Sequence, residues 1–237
     1  TPQTCAGPGM PATRGGRGGG EKPTRRDPAI RPEVVVYDVD LTLTLPVALT
    51  VTSALNAIAH AMEGFYAPDR HPVTEALSRE AMLAFRDALP ALAEDPQDRE
   101  ARAKALFAAW GCSLTLGHVT MALHHKLAHV LGGSFGLPHA ETHAVLLPHT
   151  TAYNEPAVGD LLKPIADTFG GRAGAGLWHF AKSVNAPLRL ADLGLKEADL
   201  DRAAEIATKN PYANPRPVSR DGIRQLLQQA YDGHCPD

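Results

Sequence analysis

Leu123-His-His-Lys-Leu-Ala-His-Val-Leu-Gly-Gly133 is the stretch from which the fold can be read. His125 and His129 stand four apart, so a helix projects them from one face about a turn from each other. Gly132-Gly133 offers a C-terminal cap, and Pro138 opens a further helix with His139 at its start. Upstream, Ser53-Ala-Leu-Asn-Ala-Ile-Ala-His-Ala-Met-Glu63 carries a second four-residue pair, Asn56 and His60. Two helices with such pairs, plus a histidine at a third helix start, can converge on one point. Bundles build metal or polar catalytic sites in this way.

Outward from there the pattern stays helical. It predicts helices over 47–63, stopped by Gly64; 73–87, ending before Pro90; 97–110; 120–131; 138–147; 160–169; 197–207; and 220–231 behind a Ser219 cap. The expected fold is therefore mainly α, a bundle of seven or eight helices with short loops over residues 41–237. Composition agrees: 44% of residues are hydrophobic but only 5% aromatic, and alanine and leucine favour helices. Glu33-Val-Val-Val-Tyr37 is the one convincing strand, so 33–40 is expected to be a remnant strand of a sheet the chain scarcely contains. Residues 1–32 hold 7 of the 21 glycines and 6 of the 20 prolines, with a charge of +4. Such a segment is expected to be loop or disorder.

Charge and cysteine usage exclude several classes. The net charge is −3, which gives no reason to expect nucleic acid or a membrane as partner. Two Arg-Gly-Gly units within 14–19 are weak support for an RNA-binding arm in an acidic protein. Cys5, Cys112 and Cys235 form no CxxC pair, which suits a reducing, cytoplasmic setting. Apolar runs stay well below the ~20 residues that span a bilayer, and residues 1–20 lack the apolar stretch of a signal peptide.

Seven of the eleven histidines fall between 118 and 149. His71, His118, His124, His179 and His234 read as ordinary satisfied side chains. His143 and His149 stay open, each able to line a pocket or sit on the surface. Asn56, His60, His125, His129 and His139 form the candidate site.

At these residues the chain resembles a family. Ser53 to Glu63 is similar to the first metal-site helix of iron-type alcohol dehydrogenases, and Leu123 to Gly133 with Leu137-Pro-His-Ala-Glu141 resembles their signature. His124-His-Lys126 and Pro138-His-Ala-Glu141 look specifically like maleylacetate reductases. So do Tyr37-Asp38 with Asp40-Leu-Thr-Leu43, and Asn214-Pro-Arg-Pro217. The resemblance implies a dehydroquinate synthase-like fold, of which this chain would be the C-terminal helical domain with most of the α/β nucleotide-binding domain missing. Thr1 to Met10 is a weak match to the family's cofactor loop, and only Thr4, Gly7 and Met10 keep its pattern.

Carried over residue by residue, Asn56, His60, His125 and His139 occupy metal-ligand positions, for iron or zinc. Thr4 and His129 would contact the nicotinamide, NADH or NADPH. The alcohol dehydrogenases place aspartate where Asn56 stands, and an amide removes the only anionic ligand. The implied activity is reduction of the alkene of maleylacetate, a small dicarboxylate, to 3-oxoadipate. His129 would be proton donor or relay, and His60, His125 and His139 would polarise the substrate and offset its charge. The resemblance also implies a homodimer in the full-length family. The competing expectations are a metal-dependent alcohol dehydrogenase of the same superfamily, and an inactive truncated helical module.

Overall fold

The computed structural model describes residues 13–15, 24–26, 34–210 and 212–236. Two short strands, β1 (Thr13–Gly15) and β2 (Thr24–Arg26), pair antiparallel. These two triplets are thus paired where loop was expected, and the rest of 1–33 lies outside the described residues. Among the described residues eight α-helices follow: α1 (Val47–Tyr66), α2 (Pro72–Glu94), α3 (Arg99–His118), α4 (Leu123–Phe135), α5 (His139–Phe169), α6 (Ala173–Ser183), α7 (Leu200–Thr208) and α8 (Arg220–Asp232).

The helical bundle holds; the remnant strand does not. Residues 34–38 belong to no strand and run into a 3-10 turn at Asp40–Thr42. A strand needs a ladder partner, and none faces this segment among the described residues. Val34 and Val36 remain 79% and 81% exposed.

α1 is the centre. Every residue from Thr50 to Tyr66 is buried, the polar Asn56, His60 and Glu63 included, and α2, α3 and α5 pack around it. Gly64 does not stop the helix. A Cβ there would collide with Thr115 Cγ2 of α3, so this glycine serves close packing of the two helices. Pro90 likewise lies inside α2, and Pro148, Pro156 and Pro164 inside α5. α5 is broken by a kink at Val158, whose backbone is non-helical (φ −139°, ψ 29°), so the two expected helices appear as two segments that meet there, the first running on past Leu147. α4 ends one turn later than expected, on Gly136 at φ 71°, the left-handed conformation that favours glycine.

Two apolar clusters result. One gathers Leu55, Ile58, Met62, Met82 and Phe85 around α1; the other gathers Leu123, Leu127, Leu146, Leu200, Ile223 and Leu227 from α4, α5, α7 and α8. α5 contributes to both, and the histidines of α1, α4 and α5 lie where the clusters meet.

Candidate active site

Five histidine rings form a continuous row. His60 on α1 stacks on His125 of α4 at 4.9 Å between centroids. His125 meets His143 of α5 at 5.1 Å, His143 meets His139 at 4.4 Å, and His139 lies 6.4 Å from His129. The row runs from the interior to the surface: His60, His125 and His143 are buried, while His139 and His129 are exposed. The expected set is therefore brought together. Asn56, one turn before His60, is buried as well.

Four buried polar atoms of this group have no hydrogen-bonding partner among the described residues: Asn56 Oδ1, His60 Nδ1, His125 Nε2 and His143 Nε2. Such atoms are rare in native interiors, and a cluster of them marks a site that something else completes.

Burial decides the charge of the deep end. It holds the His60 imidazole well below its ordinary range, with His125 and His139 adding to the effect. His143 is lowered in the same way, first by burial and then by His124 and His125. Near neutral pH these two rings are uncharged. In the empty site His60 is thus a neutral hydrogen-bonding group.

Three further residues, not expected from spacing, hold this end together. His124 Nε2 lies 2.8 Å from His143 Nδ1, and His124 Nδ1 lies 2.9 Å from Thr150 Oγ1. With the Thr150 hydroxyl donating to Leu146 O at 2.9 Å, the chain runs from His143 through His124 to Thr150. His124 is therefore a structural ring of the site, fully buried. The third is Glu63, whose carboxylate lies 2.7 Å from His125 Nδ1. Helical spacing could have found two of these side chains, since Glu63 follows Asn56 and His60 at i+7 and i+3 and His143 follows His139 at i+4.

The floor is tied down by Tyr66. Its hydroxyl donates to Glu63 Oε1 at 3.4 Å and accepts from Asn154 Nδ2 at 3.2 Å. Asn214 exchanges hydrogen bonds with Asn154 at 3.1 and 2.7 Å. Arg216 stacks on Tyr153 at 4.4 Å. The Asn214–Pro217 motif is thus a tether onto α5. Lys126 turns away from His125 as its position on α4 dictates, and its Nζ lies 5.8 Å over the Tyr212 ring. Thr4 lies outside the described residues. His149, left open by the sequence, is buried with both ring nitrogens unpartnered, and burial and then His234 lower it to about 4.

A divalent ion does not fit this donor set. Among the described residues no group of three or more histidine, cysteine, aspartate or glutamate side chains is placed to hold one. The acidic group touching the row, Glu63, is occupied by N–H donors, and Asn56 supplies only a neutral amide. The expected set Asn56, His60, His125 and His139 is gathered, but not as a metal cage.

Residues 50–231 match the Fe-containing alcohol dehydrogenase family, C-terminal. The maleylacetate reductase of Rhizobium sp. (strain MTP-10005) is 53% identical over 236 residues, covering 100% of this chain and 67% of that protein. Maleylacetate reductase 1 of Cupriavidus pinatubonensis is 45% identical, with 100% and 67% covered. The crystal structure of maleylacetate reductase from Agrobacterium tumefaciens superposes with a TM-score of 0.93 at 53% identity, covering 96% of this chain and 65% of that one. The chain spans about two thirds of the length of these relatives.

Proposed function

Because this chain belongs to the iron-containing alcohol dehydrogenase family, we propose that it forms the substrate-binding half of an NADH- or NADPH-dependent maleylacetate reductase. The observation that carries this reading is the cluster of unpartnered buried polar atoms on α1, α4 and α5, open to solvent at His129 and His139. The named relatives support the choice of substrate.

The reduction of maleylacetate needs three things. Hydride from the nicotinamide adds to the alkene carbon β to the ketone, and the electron pair moves to the ketone oxygen. The enolate is stabilised there by hydrogen bonds, and the carbon next to the ketone then takes a proton. Asn56 and His60 offer unpartnered neutral atoms from α1 that hydrogen-bond the substrate without a charge penalty. His125 offers its unpartnered Nε2 as a further hydrogen-bonding atom for the substrate. His129 and His139, at the mouth, meet the nicotinamide side and complete the proton path. No step passes through a metal.

The test is oxidation of reduced nicotinamide, followed by absorbance, with the chain as it stands and fused behind the N-terminal third of the Rhizobium enzyme. Maleylacetate-dependent oxidation by the fusion is expected, with His129→Ala lowering kcat about 100-fold. Turnover of simple alcohols in place of maleylacetate would favour the alcohol dehydrogenase reading. Absence of turnover, with no calorimetric binding of maleylacetate or nicotinamide, would favour an inactive helical module.

A further inference from the structure

Glu63 has no part in the reaction as written, yet it is wholly buried and joins α1 to the start of α4. Its oxygens are fully engaged. Oε1 accepts from the His124 backbone N–H at 2.7 Å and from the Tyr66 hydroxyl at 3.4 Å; Oε2 accepts from the Ala122 N–H at 2.8 Å and lies 2.7 Å from His125 Nδ1. Backbone N–H groups can only donate, so each oxygen must act as an acceptor.

Two consequences follow. The first concerns α4, whose N-cap residue Ala122 offers no side-chain cap. The orphan N–H groups of a helix start need acceptors, and negative charge is favoured there. Glu63 supplies both from a neighbouring helix, and so locks the element bearing His125 and His129 against the one bearing Asn56 and His60. The second concerns the imidazole. A carboxylate oxygen at Nδ1 requires a proton on Nδ1, which leaves Nε2 as the bare nitrogen. That is the buried atom without a partner among the described residues.

We propose that Glu63 is the positioning residue of this site: its carboxylate, gripping the start of α4 and His125 Nδ1 together, fixes His125 in the tautomer that leaves Nε2 as its bare nitrogen. The structural part stands on local geometry alone. Only its kinetic consequence rests on the reductase reading.

The tautomer is read directly by two-bond 1H–15N correlation on the chain with 15N-labelled histidine, at mildly alkaline pH. The wild-type chain is expected to show His125 with a protonated Nδ1 and a bare Nε2. Glu63→Leu, of similar volume, leaves no acceptor beside Nδ1, so the His125 signature is expected to move toward Nε2–H. Glu63→Asp keeps the charge and is expected to retain the wild-type pattern. A bare Nδ1 in the wild type, both nitrogens protonated there, or an unchanged pattern in Glu63→Leu overturns the proposal. Should Glu63→Leu fail to fold, the wild-type spectrum and Glu63→Asp still decide it, because a reversed pattern in Glu63→Asp also overturns it.

In the fusion enzyme, Glu63→Leu is expected to lower kcat about 10- to 100-fold with KM little changed, and Glu63→Asp to recover most of the loss. An inactive wild-type fusion sinks the reductase reading and leaves the spectral result standing. A spectral failure in an active enzyme does the reverse.

Discussion

The two ends of the histidine row obey different physics. At the deep end, His60, His124 and His143 are buried, held neutral, and His124 and His143 are linked by hydrogen bonds that continue to Thr150. At the mouth, His129 and His139 face solvent on the first turns of α5 and the second turn of α4. The deep rings therefore carry structure as well as chemistry, whereas the outer pair is free of the core's packing demands. A row of one residue type thus divides by burial into a rigid, uncharged floor and an accessible rim.

The largest break in this contrast comes from truncating one ring at each end. His124→Ala removes a fully buried side chain and strands His143 Nδ1, while Thr150 Oγ1 keeps only its bonds to the α5 backbone. The cavity and the lost partners together are expected to cost roughly 3 kcal/mol, a large fraction of a typical domain's stability. His129→Ala on the exposed rim is expected to cost about 0.5 kcal/mol or less. Urea unfolding of the two variants measures the difference, and equal losses would mean that the floor is not a structural unit.

Acid sharpens the same comparison. Burial is the first cause of the lowered pKa of His60, His124 and His143, and of His149 at about 4. Below the unfolded histidine value of about 6.5, the unfolded chain binds protons that the folded chain refuses, so stability is full above that pH and falls as pH drops. Each buried ring contributes up to ~1.4 kcal/mol per pH unit, and for His149 the loss ends near pH 4. The urea midpoint should fall steeply between pH 7 and 5 (about the histidine range). His149→Leu, which deletes one such ring and its two unpartnered nitrogens, should flatten the slope by about one proton's worth. A midpoint indifferent to pH across this range would contradict neutral burial.

The sequence made the rim and part of the floor legible, for a geometric reason. Helical periodicity places Asn56, His60, His125 and His129 on shared faces without reference to any partner, and α1, α4 and the start of α5 appear where that periodicity puts them. What periodicity cannot carry is contact across elements. Glu63 reaches α4 from α1 over 59 to 62 positions of sequence, and His124 becomes part of the site only because α5 brings His143 beside it. Boundaries failed for a related reason: Gly64, Pro90 and Pro148 are helix stops by local propensity, but burial of α1 and the long packed surfaces of α2 and α5 override that weak preference. The valine run at 34–36 forms no strand because β-propensity measures fit to a sheet, and no sheet receives it among the described residues.

The smallest expected effect is the most pointed test of the floor. If the deep end were a metal cage, an ion at 100 times its Kd would add ~2.7 kcal/mol and raise the Tm by several degrees. Zinc or ferrous iron in micromolar excess is instead expected to move the Tm by no more than about 1 °C, and a chelator by as little. Asn56 brings an amide where a divalent ion wants an anion, and the three nearby rings are not placed as a ligand group. Asn56→Asp separates these two reasons. A zinc-dependent rise in Tm in the variant alone makes the missing charge the cause, while no rise in either protein makes ring placement the cause. A rise in the wild type would mean that the neutral floor rearranges around an ion, and the contrast between floor and rim would then be a property of the ion-free protein only.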